Sequence, residues 1–267
     1  MFDGIPLQRS HGEAHISLDG GGLTELRQSG SGKVMLPRTY ADVPEIVFLN
    51  TSGGLTAGDR LDYSLCLGAG MSARATTQTA ERAYRAEGGC ARATVTLQLG
   101  RGADLAWLPQ ETILFDGSAL RRQTRVEMAD EARFLGIETV VLGRAAMGET
   151  VARLALEDTR TVRRGGKLLL VDPLRLDDAA LARAGGAALL GGARAFSTLI
   201  IAGPGTDLAL EPLRAELDEP GVQGAASALN GRLVLRCLAT DAWPLRRQMV
   251  RLISRLDPGG VPRCWQM

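Results

Sequence analysis

Metal-binding side chains recur at every second position near the start of the sequence. His11, Glu13 and His15 stand at i, i+2 and i+4, so a β-strand would turn all three to one face, where imidazole and carboxylate ligands suit a divalent first-row metal ion. The alternative is an exposed edge strand whose polar face is only solvated, which is the commoner reason for such a pattern. We favour this second interpretation.

Two glycine-rich strings have the residue types of phosphate-binding loops. The first, Gly30–Lys33, lacks the glycine and the hydroxyl residue that a P-loop needs at its two ends, so we predict a hairpin turn there. The second, Gly68–Ala73, matches G-x-G-x-x-A, but a dinucleotide site needs a helix to begin at that turn. The threonine-rich residues that follow favour a strand instead. A nucleotide-dependent oxidoreductase using the Gly68 and Gly70 turn is the alternative function.

Overall composition excludes several classes of protein. The 267 residues carry 31 basic and 30 acidic side chains, a net charge of +1, which argues against nucleic acid as a partner because its binding proteins neutralise phosphates. A hydrophobic fraction of 45% argues against disorder. The two histidines both lie within the first fifteen residues, which leaves neither an all-histidine metal centre nor a histidine-based hydrolase triad.

Three features predict a cytoplasmic protein without a membrane segment. No apolar run approaches the ~20 residues of a membrane span. The first ten residues, Met1–Ser10, lack the basic and apolar segments of a secretory signal. The four cysteines are far apart and form no C-x-x-C pair, so we expect reduced thiols.

Most of the chain has the pattern of short, half-buried strands. Apolar and polar residues alternate between glycine turns, as in Leu61–Leu67, Val95–Leu99 and Leu233–Cys237. Asn230-Gly231 suits a two-residue hairpin because both residues tolerate positive φ. Such strands form a sandwich, a barrel or a stacked solenoid. Because no repeat of fixed length is present, the solenoid that stays open is an irregular one.

The last third of the chain combines strands with helices. Asp241 is expected to cap a helix that ends near Gly259, a second helix is predicted from about Asp207 to Leu217, and Leu199–Ile201 indicates a buried strand. The arginines on the polar face of the last helix are either solvated or a docking surface for an acidic partner. We treat residues 1–267 as one domain, β-rich over 1–205 with a strand-helix cap over 206–267.

Four strings are specific in combination: Asn50–Asp59, Thr76–Arg85, Trp107–Phe115 and Leu142–Glu149. In this order and spacing they resemble the UreD family of urease accessory proteins, called UreH in some bacteria. The resemblance runs from about Leu36 to the C-terminal helix. Ala57 and Thr79 depart from the usual pattern, each as a small substitution.

This resemblance implies a fold, a function and partners. The fold is mainly β, an irregular β-helix-like stack of many short strands with about two α-helices near the C-terminus. The function is that of a non-enzymatic scaffold required for nickel insertion into urease. The implied partners are UreF, the GTPase UreG through UreF, and the urease apoprotein. Nickel would be cargo in transit, and no cofactor would be tightly bound.

Four carboxylates are implied as the lining of a nickel passage. Matching the family's polar interior positions gives Asp59, Glu81, Glu138 and Asp172. Carboxylates hold divalent first-row metals less tightly than clustered imidazole or thiolate, so they suit an ion that must be passed on. Glu138 interrupts an apolar run and Asp172 follows one, where a carboxylate is costly to bury without a partner or water.

Each of the four carboxylates also has a purely structural interpretation. Asp59 would cap its own turn, and Asp172, directly before Pro173, would begin one. Glu81 and Glu138 would each be neutralised by an arginine. The arginines in question are Arg82 or Arg85 for Glu81, and Arg133 or Arg144 for Glu138.

Overall fold

The computed structural model describes residues 9–39 and 41–266 of the chain. Residues 1–8, which hold most of the segment used to argue against a secretory signal, lie outside the described residues. The strands are β1 (His11–Asp19), β2 (Gly22–Gly30), β3 (Gly32–Met35), β4 (Glu45–Asn50), β5 (Arg60–Leu67), β6 (Ser72–Thr77), β7 (Glu81–Ala83), β8 (Ala91–Leu99), β9 (Asp104–Trp107), β10 (Thr112–Leu114), β11 (Ser118–Met128), β12 (Arg133–Leu142), β13 (Leu154–Arg164), β14 (Lys167–Asp177), β15 (Ala195–Ala202), β16 (Val222–Leu229) and β17 (Arg232–Ala239). The helices are α1 (Asp178–Leu181), α2 (Leu210–Ala215) and α3 (Ala242–Leu256).

The strands form two facing sheets, and the chain winds from one to the other. Sheet A has the order β14-β13-β11-β8-β5-β1-β2, and sheet B has the order β16-β17-β15-β12-β9-β6-β4-β3. Successive coils lay β5, β8, β11 and β13 side by side in parallel in sheet A, while β6, β9 and β12 do the same in sheet B. The short strands β7 and β10 pair with each other, and β10 also pairs with β12 of sheet B. This confirms the predicted β-helix-like stack, with about four turns.

The coils differ in length, which explains why the sequence carries no fixed repeat. Arg60, Arg92, Arg121 and Glu157 occupy matching positions on the four parallel strands of sheet A, at intervals of 32, 29 and 36 residues. The stack is therefore regular in space but irregular in sequence.

The main core fills the space between the two sheets. On β5, Leu61, Tyr63 and Leu65 point inward and are buried, as their alternation predicts. A second apolar layer covers the outer face of sheet B, where Met249 and Leu252 of α3 pack against the strands. Sheet B is therefore covered on both faces, whereas sheet A has one face in solvent.

The helices agree in part with those predicted from the sequence. Asp241 caps α3 as predicted, because its carboxylate accepts a hydrogen bond from the backbone N–H of Trp243 at 2.7 Å. The helix predicted over 207–217 is shorter than expected, since a 3₁₀ turn over 206–209 leads into α2. The four-residue α1 was not predicted. No helix among the described residues is long and apolar enough to cross a membrane.

The segment after α3 ties the helix layer to sheet B. The indole N–H of Trp265 donates to the carbonyl oxygen of Leu108 at 2.9 Å, and the side-chain amide of Gln110 donates to the carbonyl oxygen of Cys264 at 2.7 Å. The guanidinium of Arg246 lies 4.8 Å from the centre of the Trp265 ring system. Contacts between residues distant in sequence thus hold α3 and the residues after it against sheet B.

Two predictions about edges and turns are wrong. β1 is not an edge strand, because it lies between β2 and β5. Gly30–Lys33 is not a hairpin turn, because it leads the chain out of sheet A into β3, which pairs with β4 in sheet B. The hairpin predicted at Asn230-Gly231 is confirmed between β16 and β17, with φ of 50° and 76° at the two residues.

Candidate functional site

A row of buried charged side chains crosses the core between the two sheets. The guanidinium of Arg122 on β11 forms two hydrogen bonds with the carboxylate of Asp158 on β13, at 3.1 and 2.7 Å. It also lies 2.7 Å from the carboxylate of Glu138 on β12 in the opposite sheet, and it donates to the hydroxyl of Thr112 at 2.9 Å. Arg122 therefore links sheet A to sheet B through charge-assisted contacts.

The pKa values of Glu138 and Asp158 shift in opposite directions although both carboxylates are buried. Burial raises the pKa of Glu138 above its ordinary value, because the loss of water outweighs the attraction of Arg122. The Glu138 carboxylate also lies 3.3 Å from the hydroxyl of Thr124, which donates to it. Burial alone would raise the pKa of Asp158 too, but the charge and hydrogen bonds of Arg122 bring it below its ordinary value.

The row continues from Asp158 to the rim of the core. The guanidinium of Arg160 lies 3.7 Å from Asp158 and 3.2 Å from the carboxylate of Asp172 on β14. Arg236 of β17 reaches Asp172 from sheet B. The contact between Arg160 Nε and Asp172 Oδ2 is misaligned for a hydrogen bond, so both atoms are buried without one. We call Arg122, Glu138, Asp158, Arg160 and Asp172 the buried polar row.

Glu81 lies on β7, next to the inner end of this row. It stands opposite Thr112 in the pairing of β7 with β10, and Thr112 accepts a hydrogen bond from Arg122. The Glu81 carboxylate accepts hydrogen bonds from the side-chain amide of Asn50 at 3.1 Å and from the backbone N–H of Arg82 at 3.1 Å. Burial raises its pKa above the ordinary value, and the Asn50 hydrogen bond opposes that rise.

Asp59 lies apart from the other three carboxylates. One of its oxygens accepts from the backbone N–H of Ser10 at 2.7 Å, and the other accepts from the backbone N–H of Thr56 at 2.8 Å. One oxygen therefore closes the turn before β5, and the other ties that turn to the residue before β1. The structure brings Glu81, Glu138 and Asp172 toward one row and leaves Asp59 at this turn.

Three cavities border the carboxylates Glu81, Glu138 and Asp172. A pocket of about 40 Å³ is lined by Glu81 and Tyr63, a cavity of about 10 Å³ is lined by Glu138 and Arg160, and a groove of about 480 Å³ is lined by Arg160 and Asp172. The middle cavity has room for about one water molecule.

Aromatic rings lie between the first two cavities. The Phe48 ring lies 4.8 Å from Tyr63 and 5.7 Å from Trp107, measured between ring centroids. Phe48 and Tyr63 line the Glu81 pocket, while Trp107 lines the middle cavity. A continuous passage therefore requires these rings to move.

Sequence reasoning missed the cations of the buried polar row. Glu138 pairs with Arg122 and not with the two arginines near it in sequence. Arg133 pairs instead with Asp104 at 3.7 Å, and Arg144 pairs with Glu149 at 2.9 Å. Arg122 could have been found from the alternation of β11, because it shares the inward face with Leu120 and Thr124, two residues before and after it.

Comparison with known proteins identifies the family. The family model described as UreD urease accessory protein matches residues 10–266. The chain is 56% identical to the urease accessory protein UreD of Cereibacter sphaeroides strain ATCC 17025 over 97% of this chain and 96% of the relative. The UreD of Paracoccus denitrificans is 54% identical over 100% of this chain and 97% of the relative. The UreD of Rhizobium leguminosarum bv. trifolii is 43% identical over 97% of this chain and 96% of the relative.

The chain belongs to the UreD family. Its role is accordingly that of a urease accessory protein, a family named for assisting urease and not for an enzymatic reaction of its own. The four strings that carry the family resemblance meet at the Glu81 end of the structure. The backbone N–H of Leu55 donates to the carbonyl oxygen of Arg82 there at 2.7 Å. The Tyr84 and Phe115 rings lie 5.1 Å apart, and the Arg144 guanidinium stacks 4.4 Å from the Phe115 centroid.

Two further features considered from sequence have a defined setting in this UreD family member. The Gly68 and Gly70 turn leads into strand β6 and not into the helix that a dinucleotide site needs at that position. On α3, Arg246 pairs with Glu111 at 3.0 Å and Arg247 pairs with Glu219 at 2.5 Å. These arginines of the helix are thus partly used inside the molecule.

Proposed function

We propose that this chain is a non-enzymatic scaffold for nickel insertion into urease, acting in the cytoplasm. It works in a complex with UreF and, through UreF, with the GTPase UreG on the urease apoprotein. Membership of the UreD family supports the accessory role. The observation that carries the nickel part of the proposal is the course of carboxylates and cavities from Glu81 to Asp172.

Nickel is the cargo in this proposal, and Glu81 is its strongest single ligand. Within residues 9–39 and 41–266, no arginine side chain forms an ion pair with Glu81. Glu138 and Asp172, in contrast, each contact a guanidinium. A divalent cation that reaches those two must compete with an arginine, which weakens its hold and favours onward transfer. Asp59, whose oxygens serve the turn, has the weakest support as a ligand.

The test compares Glu81→Gln with Glu157→Gln, a change at an exposed carboxylate of β13. Urease is co-expressed with its accessory proteins under limiting nickel, and the nickel content of the purified urease is measured. We expect Glu81→Gln to lower nickel loading while pull-down of UreF, UreG and urease stays normal, and Glu157→Gln to change neither. Normal loading by Glu81→Gln would refute the passage.

Deletion of the whole chain tests the broader proposal. We expect urease purified from such cells to be poor in nickel. If its nickel content is normal under limiting nickel, the insertion role itself is wrong. The passage and the scaffold can therefore be refuted separately. If the chain only holds the complex together, its deletion leaves urease poor in nickel, whereas Glu81→Gln leaves nickel loading normal.

A further inference from the structure

A mixed cluster of imidazole and carboxylate ligands lies on the outer face of sheet A. Neighbouring strands β1 and β5 run parallel, with Glu13 directly beside Asp62. Ligand atoms of His11, Glu13 and Asp62 all lie within 4.8 Å of one another. His11 and Glu13 point outward because the alternate residues of β1, such as Ala14 and Ile16, fill the core.

The spacing of these atoms fits a coordination sphere after small side-chain rotations. Two ligand atoms on perpendicular bonds of about 2.1 Å stand about 3 Å apart, and His11 Nε2 lies 3.2 Å from Glu13 Oε1. We propose that His11, Glu13 and Asp62 form a surface site for a divalent first-row transition-metal ion, with water completing the coordination. One imidazole and two carboxylates suit Ni²⁺ or Zn²⁺ and leave the ion exchangeable.

The neighbouring charged groups on this face come from β1, β2 and β5, and Arg60 of β5 stands directly beside His11. His15 is two residues further along β1, and its ring nitrogens are engaged with Ser64 at 2.7 Å and Glu25 at 3.2 Å. Arg27 neutralises Glu25 at 2.9 Å. Glu13 and Asp62 are therefore the carboxylates left to attract a cation beside His11.

This surface site is distinct from the proposed interior passage. The passage lies between the sheets, whereas the three ligands stand on the opposite face of β1 and β5, with the apolar residues of both strands in between. The site therefore does not depend on the proposed route of nickel. It would hold metal at the surface, where an ion can exchange with solvent or with a partner.

Titration of the full chain with Ni²⁺, and separately with Zn²⁺, tests the site. Calorimetry gives the stoichiometry and affinity, and proton NMR follows the imidazole signals of the two histidines. We expect paramagnetic Ni²⁺ to broaden the His11 signals at the first equivalents. The double variant Glu13→Gln/Asp62→Asn should weaken this binding at least about tenfold, as loss of metal-site groups does, with the melting temperature showing that it remains folded.

Glu157→Gln and Glu81→Gln serve as matched controls. Glu157 is an exposed carboxylate on the same outer face of sheet A, and Glu81 belongs to the interior pocket. Neither change should alter the binding that broadens His11. Imidazole signals that stay sharp at saturating Ni²⁺, or a double variant that binds as the wild type does, would overturn the surface site. Loss of that binding in Glu81→Gln alone would assign the ion to the interior instead.

Discussion

Replacing Arg122 with methionine removes a buried cation that two buried carboxylates share. In the wild-type chain its guanidinium holds Asp158 through two hydrogen bonds and contacts Glu138 at 2.7 Å. Asp158 is fully buried and Glu138 is 6% exposed, so the variant leaves their charges without this cation in the core. Removing one partner of a buried ion pair costs about 3–5 kcal/mol, which is a large part of a typical free energy of unfolding of about 5–15 kcal/mol.

The assay is urea denaturation at pH 7 and pH 5, followed by circular dichroism and by tryptophan fluorescence. We expect Arg122→Met to lower the free energy of unfolding by about 3–5 kcal/mol at pH 7. The deficit should be smaller at pH 5, because protonation of the carboxylates that have lost Arg122 removes their charge. Trp107 is a local probe, since its indole N–H lies 3.5 Å from the Glu138 carboxylate.

Arg121→Met is the matched control for this experiment. Arg121 precedes Arg122 on β11 but points to solvent, where it pairs with Glu157 at 2.6 Å. An exposed ion pair contributes little, so its loss should move the urea midpoint only slightly. If the two methionine variants are equally stable at pH 7, the argument that the buried polar row depends on Arg122 is refuted.

Three further predictions concern single local interactions. Asp241→Ala should destabilise the chain by about 1 kcal/mol in urea denaturation, because α3 loses the cap on Trp243; an unchanged midpoint would contradict this. Gly231→Ala should cost about 1–2 kcal/mol by the same measurement, because φ is 76° there, and a gain in stability would argue against the strain. The Arg144 hydrogen bond lowers the pKa of Glu149 to about 2. The ionised Glu149 therefore stabilises the fold at pH values above its ordinary pKa of about 4.3, and this stabilisation disappears as the pH falls toward 2. Glu149→Gln should lose this pH-dependent contribution to the free energy of unfolding. An acid-unfolding curve that matches the wild type would contradict the contribution of Glu149.

Local patterns were enough to predict strands β5, β8, β15 and β17 and the main helix. Leu61, Tyr63 and Leu65 alternate as one face of β5 must, and Asp241 marks the start of α3. The order of strands in the sheets was not predictable in this way. Each coil brings together residues about thirty apart, and the coils vary in length because turns and the short strands β7 and β10 differ between them.

The partners of the candidate carboxylates were the hardest feature to predict. Arg133 is near Glu138 in sequence, but five residues along a strand place it on the opposite face. Arg144 lies beyond the end of β12. The true partner, Arg122, comes from the facing sheet, so its distance along the chain carries no information about the contact. The same limit applies to Asp172, whose cations come from β13 and β17.

The contact of Trp265 with Leu108 has a consequence for how the protein is made. The two residues are 157 positions apart, and a ribosome that adds about 5–20 residues per second needs roughly 8–30 s to cover that distance. During that time the apolar outer face of sheet B around Leu108 has no α3 to cover it. Slower elongation lengthens this exposure, so it should lower the soluble yield unless a chaperone shields that face.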